Sequence, residues 1–461
     1  MMRREHGQAR GIEGTLVQRG DADYEAVRTS MVWNGLKPER FPEVIVRTAS
    51  ERDVPEAIRL ARSRGLRVAV RAGGHSWCGS SVRSDGMLID LSGLRRWDID
   101  VASATATVQP AVTGGELAPE LTTRGLAFPM GHCGSVAVGG YLLSGGLGWN
   151  SGALGPACRS VYEIEAVTAD GEVVRCNEDE NADLLWAARG AGPGFFAVVT
   201  SFRLRLHRLP GTVMSTTYAF PLADVEEVSN WAIEAAGELE PTVELTLVLA
   251  TAAPHMTKER PRPKVNVVAA TAFADSREQA VQALRPLQNC PFAGRSLFRE
   301  AEEPTSLDAL YDASGDLWPG QHRYAADTLW SQADFGTLLP KLSNAVERAP
   351  SDKSLVLAPV SPASNDEDLL RGMAFSVLGE SYVVPYAVWD DPAEDDINVR
   401  WLREAMSAVE PLGTGHYIAE ADLTASPTRA ERSFTASDWQ RLQALRARYD
   451  PEGVFHSYLT P

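Results

Sequence analysis

Apolar and polar positions in the first two hundred residues recur in short runs, and their spacing predicts many strands and few helices. Residues 43–47 read as a strand. Ser50 then opens S-x-x-D, a helix-capping signature ahead of the apolar set Val54, Ala57, Ile58 and Ala61. Gly65 ends that helix and residues 67–71 form a second strand. Further strands are expected at 87–91 and 104–112. Residues 163–168 and 172–176 flank Ala169-Asp170-Gly171, a hairpin signal. Residues 198–206 alternate, with Phe202, Leu204 and Leu206 on one face and Arg203, Arg205 and His207 on the other.

Leu209-Pro210-Gly211 is punctuation, and the texture changes after it. From there to residue 425 the pattern mixes strands (243–250, 264–270, 381–388) with helices (276–287, 396–409), an α+β arrangement. Residues 416–423, HYIAEADL, read as another strand. Its alternation puts His416, Ile418, Glu420 and Asp422 on one face and Tyr417, Ala419, Ala421 and Leu423 on the other. Residues 438–449 form a helix with Trp439, Leu442, Leu445 and Tyr449 on one side, ending before Asp450-Pro451.

Composition narrows the class. A chain of 461 residues, 44% hydrophobic and 23% charged, builds more than one core and is globular. A net charge of −17 argues against nucleic-acid or anionic-membrane partners. The start, MMRREHGQARGIEG, carries basic residues without an apolar stretch after them, and no run is long enough to span a bilayer. A cytoplasmic enzyme is the expectation. Five cysteines, odd in number, sparse and without a C-x-x-C pair, give neither a disulfide framework nor a structural zinc site. No metal site is expected.

Two stretches carry the chemistry. Residues 71–81, RAGGHSWCGSS, place His75 behind two glycines. Residues 131–155, GHCGSVAVGGYLLSGGLGWNSGALG, are too glycine-dense for a helix or strand interior. Such backbone approaches a ligand closely and can wrap a phosphate, so two such loops suggest a dinucleotide. The dinucleotide fingerprint G-x-G-x-x-G is incomplete at Gly146–Ser151, and G-K-[ST], H-E-x-x-H and G-x-S-x-G are absent. On these grounds alone His75 can be a ligand, a base or a point of covalent attachment.

Four ordered motifs, VRAGGHSWCGSS, GHCGSVAVGGYLLSGGLGW, GAGPGFFAVVTSFRLRLHRLP and RYDPEGVF, resemble those of the berberine bridge enzyme-like FAD-linked oxidases, in the vanillyl-alcohol oxidase superfamily. The likeness runs from about residue 41 to 213 and resumes near Tyr417. It implies an α+β, two-domain FAD-binding fold of the PCMH type, with a substrate domain on an antiparallel sheet flanked by helices. The expected division is a flavin domain at 1–210, a substrate domain at 211–425 and a segment 426–461 returning to the flavin domain.

By the same resemblance, His75 bonds the 8α-methyl of FAD and Cys133 supplies a second bond to the ring. Arg71, Gly73, Gly74, Ser76 and Gly79 match the diphosphate cradle, with Ala72 in place of a common glycine. Val138, Gly139 and Gly140 belong to the second cradle. Tyr141 stands where the family has a histidine that positions the flavin. Val136 matches a gate over the oxygen approach, and a valine there resembles the oxygen-using members. Residues 194–199, Val198 among them, resemble the strand on the adenosine side.

Relatives often carry Y-x-N-Y over the ring. Here Tyr417 matches the first tyrosine, while Ala419 and Glu420 replace the Asn-Tyr pair. Glu420 is then the candidate base, since burial raises a carboxyl pKa toward working pH. Asp422 is expected to bind substrate or hold Glu420. Tyr324, Asp327 and Trp330, with Trp149 and Asn150, are weaker candidates for the pocket wall. The implied reaction is oxidation of an alcohol or activated C–H group on a sugar, phenol or secondary metabolite, with O2 reoxidising the flavin to give H2O2. A dehydrogenase using another acceptor and a flavin-binding protein without catalysis stay open. Oligomeric state is not readable.

Overall fold

The computed structural model describes residues 11–360 and 370–460. Most of the basic N-terminal stretch, residues 1–10, lies outside them. Strands at Val44–Arg47, Gly86–Asp90 and Arg67–Arg71 pair in parallel, with Thr15–Gln18 antiparallel at one edge. The helix Asp53–Ser63 links the first and last of these, as its periodicity predicts. Its cap differs from the expectation: Arg52 occupies the N-cap, and Ser50 makes no side-chain cap. Instead the buried Asp53 carboxylate accepts from the amides of Glu13, Gly14 and Ala49, at 2.7, 3.0 and 2.7 Å. The acid of the motif thus fastens an edge strand rather than its own helix.

A second sheet is antiparallel, ordered Trp97–Asp100, Thr105–Val108, Val198–Arg205, Val161–Val167, Val173–Cys176. The expected hairpin is there, pairing Val167 with Val173. The strand expected at 104–112 stops at Val108, before Gln109-Pro110. Trp97–Asp100 was not expected: it is a mostly exposed edge with charge at alternate positions, so it shows no apolar face. Both sheets bury their inner faces in one core with Ile58, Ile89, Leu142, Ile164 and Phe202. Each such side chain contributes about 1.5–3 kcal/mol on burial.

Beyond residue 211 the strands form one long antiparallel sheet, running Phe298–Thr305, Thr212–Pro221, Lys264–Ala274, Val243–Thr251, Leu355–Val360, Ser381–Trp389, Leu329–Ser331, Gly413–Gly415. Four helices, Val225–Ala236, Arg277–Gln288, Phe335–Glu347 and Asp395–Val409, cover one face. The strand Ser381–Trp389 shows how the layers are sorted. Val383, Ala387 and Trp389 enter the helix-side core, whereas Tyr382, Val384, Tyr386 and Val388 enter an aromatic cluster on the opposite face. That uncovered face looks onto the glycine-rich loops. The C-terminal helix Ala436–Tyr449 packs Leu442 and Leu445 into the first core, and Phe455 bridges Val68 at the edge of the parallel sheet.

Candidate active site

One cleft of about 390 Å³ runs between the two glycine-rich loops and the aromatic face of the long sheet. On the loop side it is lined by Gly73, Gly74, His75, Ser76, Cys133, Val136, Gly139, Gly140 and Tyr141. His75 follows directly from the strand Arg67–Arg71, and its ring stacks on Trp33 at 4.3 Å. Burial lowers its pKa to about 4, so the imidazole is neutral and nucleophilic at ordinary pH. His75 Nε2 lies 2.8 Å from Ser135 Oγ, and Cys133 Sγ lies 3.1 Å from the same hydroxyl. The two residues expected to bond the flavin therefore share one partner at one end of the cleft.

Glycine is required where the loops close. Gly74 has φ +73°, and a Cβ there would sit 2.2 Å from Met31 O. A Cβ on Gly139 would meet Pro110 and Ala72 within 2.9 Å, so the two glycine-rich segments touch. Gly140, by contrast, faces open space in the cleft.

Several expected cofactor residues hold this frame: Arg71, Ser76 and Tyr141 while also lining the cleft, Gly79, Val138 and Val198 without lining it. Arg71 lines the cleft, but its guanidinium donates to Asp90, Gly73 O and Met31 O, which anchors the loop. Ser76 Oγ accepts from Ser80 N. Gly79 is a turn residue at φ +59°, packed on Pro38. Val138 is buried in the core behind the second loop. Val198 also points inward, while Ala197 and Val199 line the cleft, next to a register shift between Val199 and Ser201. Tyr141 donates to Pro129 O at 2.6 Å and fills the space left by Gly131, Gly146 and Gly148.

The strand expected at 416–423 ends at Gly415. Residues 417–421 form a turn instead, closed by the amides of Glu420 and Ala421 on Tyr417 O at 3.0 and 2.9 Å. A turn brings positions three apart to one side, so Tyr417 and Glu420 face the cleft together. Ile418, Ala421 and Leu423 plug the first core. Glu420 accepts from Tyr382 Oη at 3.1 Å and Tyr386 Oη at 2.9 Å. Burial raises its pKa, and the two phenols partly offset that. Tyr417 is tied down: its oxygen accepts from Gly146 N and Leu147 N at 3.0 and 3.2 Å. Burial and Glu420 raise its pKa while these two amides lower it, and the hydroxyl clamps the loop to the turn.

Asp422 is turned away. Its carboxylate accepts from Thr424 N and Oγ1, and it does not line the cleft. Tyr324, Asp327, Trp330, Trp149 and Asn150 are likewise not in the wall. Tyr324 donates to Pro319 O, and Trp330 packs on Tyr382 at 4.3 Å. Asn150 N donates to Glu244.

The wall holds residues that sequence reasoning did not single out. Tyr382, Val384 and Tyr386 share one face of a strand by simple alternation, a signal that was there to use. Trp77 sits inside the first glycine-rich motif. Trp318, Glu244 and His132 complete the wall, with Glu244 3.3 Å from His132 Nε2. His132 lies in the second glycine-rich stretch, whereas nothing in the local pattern marks Glu244, whose contact with it spans 112 residues.

Residues 42–177 match the FAD binding domain family. The FAD-linked oxidoreductase ptmO of Penicillium ochrochloron is 31% identical over 94% of this chain and 93% of its own length. The chain is an FAD-linked oxidoreductase. The (R)-6-hydroxynicotine oxidase of Paenarthrobacter nicotinovorans is 26% identical over 97% of this chain and 96% of its own. In fold, the oxidoreductase is similar to 6-hydroxy-D-nicotine oxidase from Arthrobacter nicotinovorans, with a TM-score of 0.84 at 22% identity, covering 98% of both chains. It is also similar to berberine bridge enzyme from Eschscholzia californica, with a TM-score of 0.76 at 20% identity, covering 97% of this chain and 96% of the other. The two-domain FAD-binding architecture expected from the motifs is thus the one present. The cleft fits the cofactor: glycine backbone forms one side, Gly140 opens into it, and His456, whose buried Nε2 has no protein partner, lines its wall. Among the described residues no helix is long and apolar enough to cross a membrane.

Proposed function

We propose that this oxidoreductase oxidises an uncharged alcohol or activated C–H group on an aromatic or largely apolar small molecule, using FAD bonded to His75 and Cys133 and passing electrons to O2 as H2O2. The observation that carries the reading is Glu420, a carboxylate held by two phenols in the same cleft as His75 and Cys133. FAD supplies the two-electron acceptor. The protein's own part is orientation and proton removal. Glu420 takes the proton from the substrate hydroxyl and becomes the neutral acid; Tyr382 and Tyr386 donate to the carboxylate before the transfer. Leu245, Leu357, Val360, Val384, Trp77 and Trp318 give the substrate side an apolar wall, while Arg71 and Arg83 lie on the loop side. An anionic substrate would meet Glu244 and Glu420, so neutral compounds are favoured. Val136 lines the cleft as the small residue of the expected oxygen approach.

The test has two parts. Acid precipitation should give a yellow pellet, and one flavin should join the peptides of His75 and Cys133 by mass. A colourless pellet would remove the covalent claim. Anaerobic mixing with benzylic and allylic alcohols, 4-methoxybenzyl alcohol among them, should bleach the flavin, and air should then yield H2O2. Bleaching without peroxide would favour a dehydrogenase. No bleaching by any compound would oppose the substrate class.

A further inference from the structure

The turn that carries Glu420 is fastened at both ends by one dipeptide from the long sheet. Asp327 and Thr328 join the strands Arg323–Ala326 and Leu329–Ser331 and are almost wholly buried. At the start of the turn, Thr328 Oγ1 accepts from Tyr417 N at 2.9 Å. The Thr328 carbonyl accepts from His416 Nδ1 at 2.6 Å. At the end of the turn, Asp327 Oδ1 accepts from Asp422 N at 3.0 Å. No other segment touches both ends in this way among the described hydrogen bonds.

The dipeptide is itself locked. Arg429 pairs with Asp327 Oδ2 and donates to Glu410 Oε2 at 2.8 Å. The same nitrogen lies 2.8 Å from His416 Nε2. Nδ1 of His416 donates to the Thr328 carbonyl, which leaves Nε2 to face Arg429 as acceptor. Both terminal nitrogens of Arg429 thus have partners on other segments, Asp327 from one and Glu410 and His416 from the other, while its Nε is buried without one; these cross-segment pairs tie the dipeptide to the chain around it. None of these side chains lines the cleft.

We propose that Asp327 and Thr328 are positioning residues that set the reach of Glu420 into the cleft, with Arg429 and His416 as their brace. This rests on the reading of Glu420 as the base. The reason is geometric. Loss of the Thr328 hydroxyl frees the Tyr417 amide, and the turn can then unwind toward the extended form that its alternating sequence favours. In that form Tyr417 and Glu420 point to opposite sides.

The test uses the holoenzyme with Thr328→Val, Thr328→Ser and, should Thr328→Val fail to fold, Asp327→Asn. Amide exchange of the 416–423 peptide should rise about tenfold in Thr328→Val, the equivalent of one lost hydrogen bond, with the rest of the chain unchanged. Flavin bleaching by 4-methoxybenzyl alcohol should slow about ten- to a hundredfold at saturation, with the half-saturating concentration within about twofold. Thr328→Ser should restore both. Asp327→Asn should slow bleaching in the same way, with faster exchange at Asp422. Native bleaching in a loosened turn, unchanged exchange, or a loss confined to half-saturation would each overturn the proposal. Should Glu420→Gln bleach at the native rate, the base assignment falls by itself, and the exchange data still decide whether the dipeptide holds the turn.

Discussion

At the scale of single residues, the chemistry turns on a carboxylate whose environment opposes its charge. Burial raises the pKa of Glu420, and the hydroxyls of Tyr386 and Tyr382 pull it back. A base works when ionised, so the rate of flavin bleaching should rise with pH along a limb lying above the ordinary glutamate range. Glu420→Gln should slow bleaching by about 10²–10⁴-fold and abolish that limb. Tyr386→Phe removes one donor to the carboxylate, so the charged form loses support. The limb should move to higher pH while the limiting rate on its plateau stays within about tenfold of native. A pH series of anaerobic bleaching checks both. Residue identities at this scale were partly legible. His75, Cys133 and Glu420 are singled out through the motif resemblance, and the structure puts all three on one cleft. Tyr382 and Tyr386 are not, since a tyrosine on a strand is ordinary until its partner, more than thirty residues away, is known.

At the scale of elements, the same turn explains a sequence expectation that failed. HYIAEADL alternates polar and apolar positions as a strand does, yet Ile418, Ala421 and Leu423 enter the first core while Tyr417 packs with the aromatic cluster. The alternation is real, but it serves two cores at once, and tertiary contacts override it. The capping motif at Ser50 failed for a related reason: Asp53 accepts from the amides of Glu13 and Gly14, in the segment leading into the edge strand. Strongly periodic elements, such as Arg277–Gln288 with its Ser276 cap, match the expectation to within a residue. The glycine-rich elements make their own prediction. Gly74→Ala forces a Cβ into Met31 O at a positive φ. It should lower stability by at least about 1–3 kcal/mol and reduce flavin occupancy, read by thermal unfolding and by the ratio of flavin to protein absorbance.

At the scale of the whole molecule, the cleft exists because two cores built on different sheets present unlike faces to each other, glycine backbone on one side and aromatic rings on the other. The motif resemblance implies that the segment 426–461 returns to the flavin side, but not how the chain's far end is held there. Val68 N donates to Val454 O at 2.7 Å, and His456 N donates to Val68 O at 2.9 Å, so the tail lies along the edge of the parallel sheet. Phe455 and His456 then reach the cleft. What bends the tail there is Asp450, a buried carboxylate that accepts from Val454 N at 2.6 Å and Phe455 N at 2.9 Å. Asp450→Ala leaves two amides without partners, at a cost of about 1–3 kcal/mol each if they stay buried. The tail should therefore lift from Val68 rather than remain unsatisfied. Thermal unfolding should shift down by several degrees, and amide exchange at Val68 and 454–456 should rise, while exchange in the strand Ser381–Trp389 stays native. An equal rise in both regions would mean that Asp450 supports the whole molecule and not the tail alone.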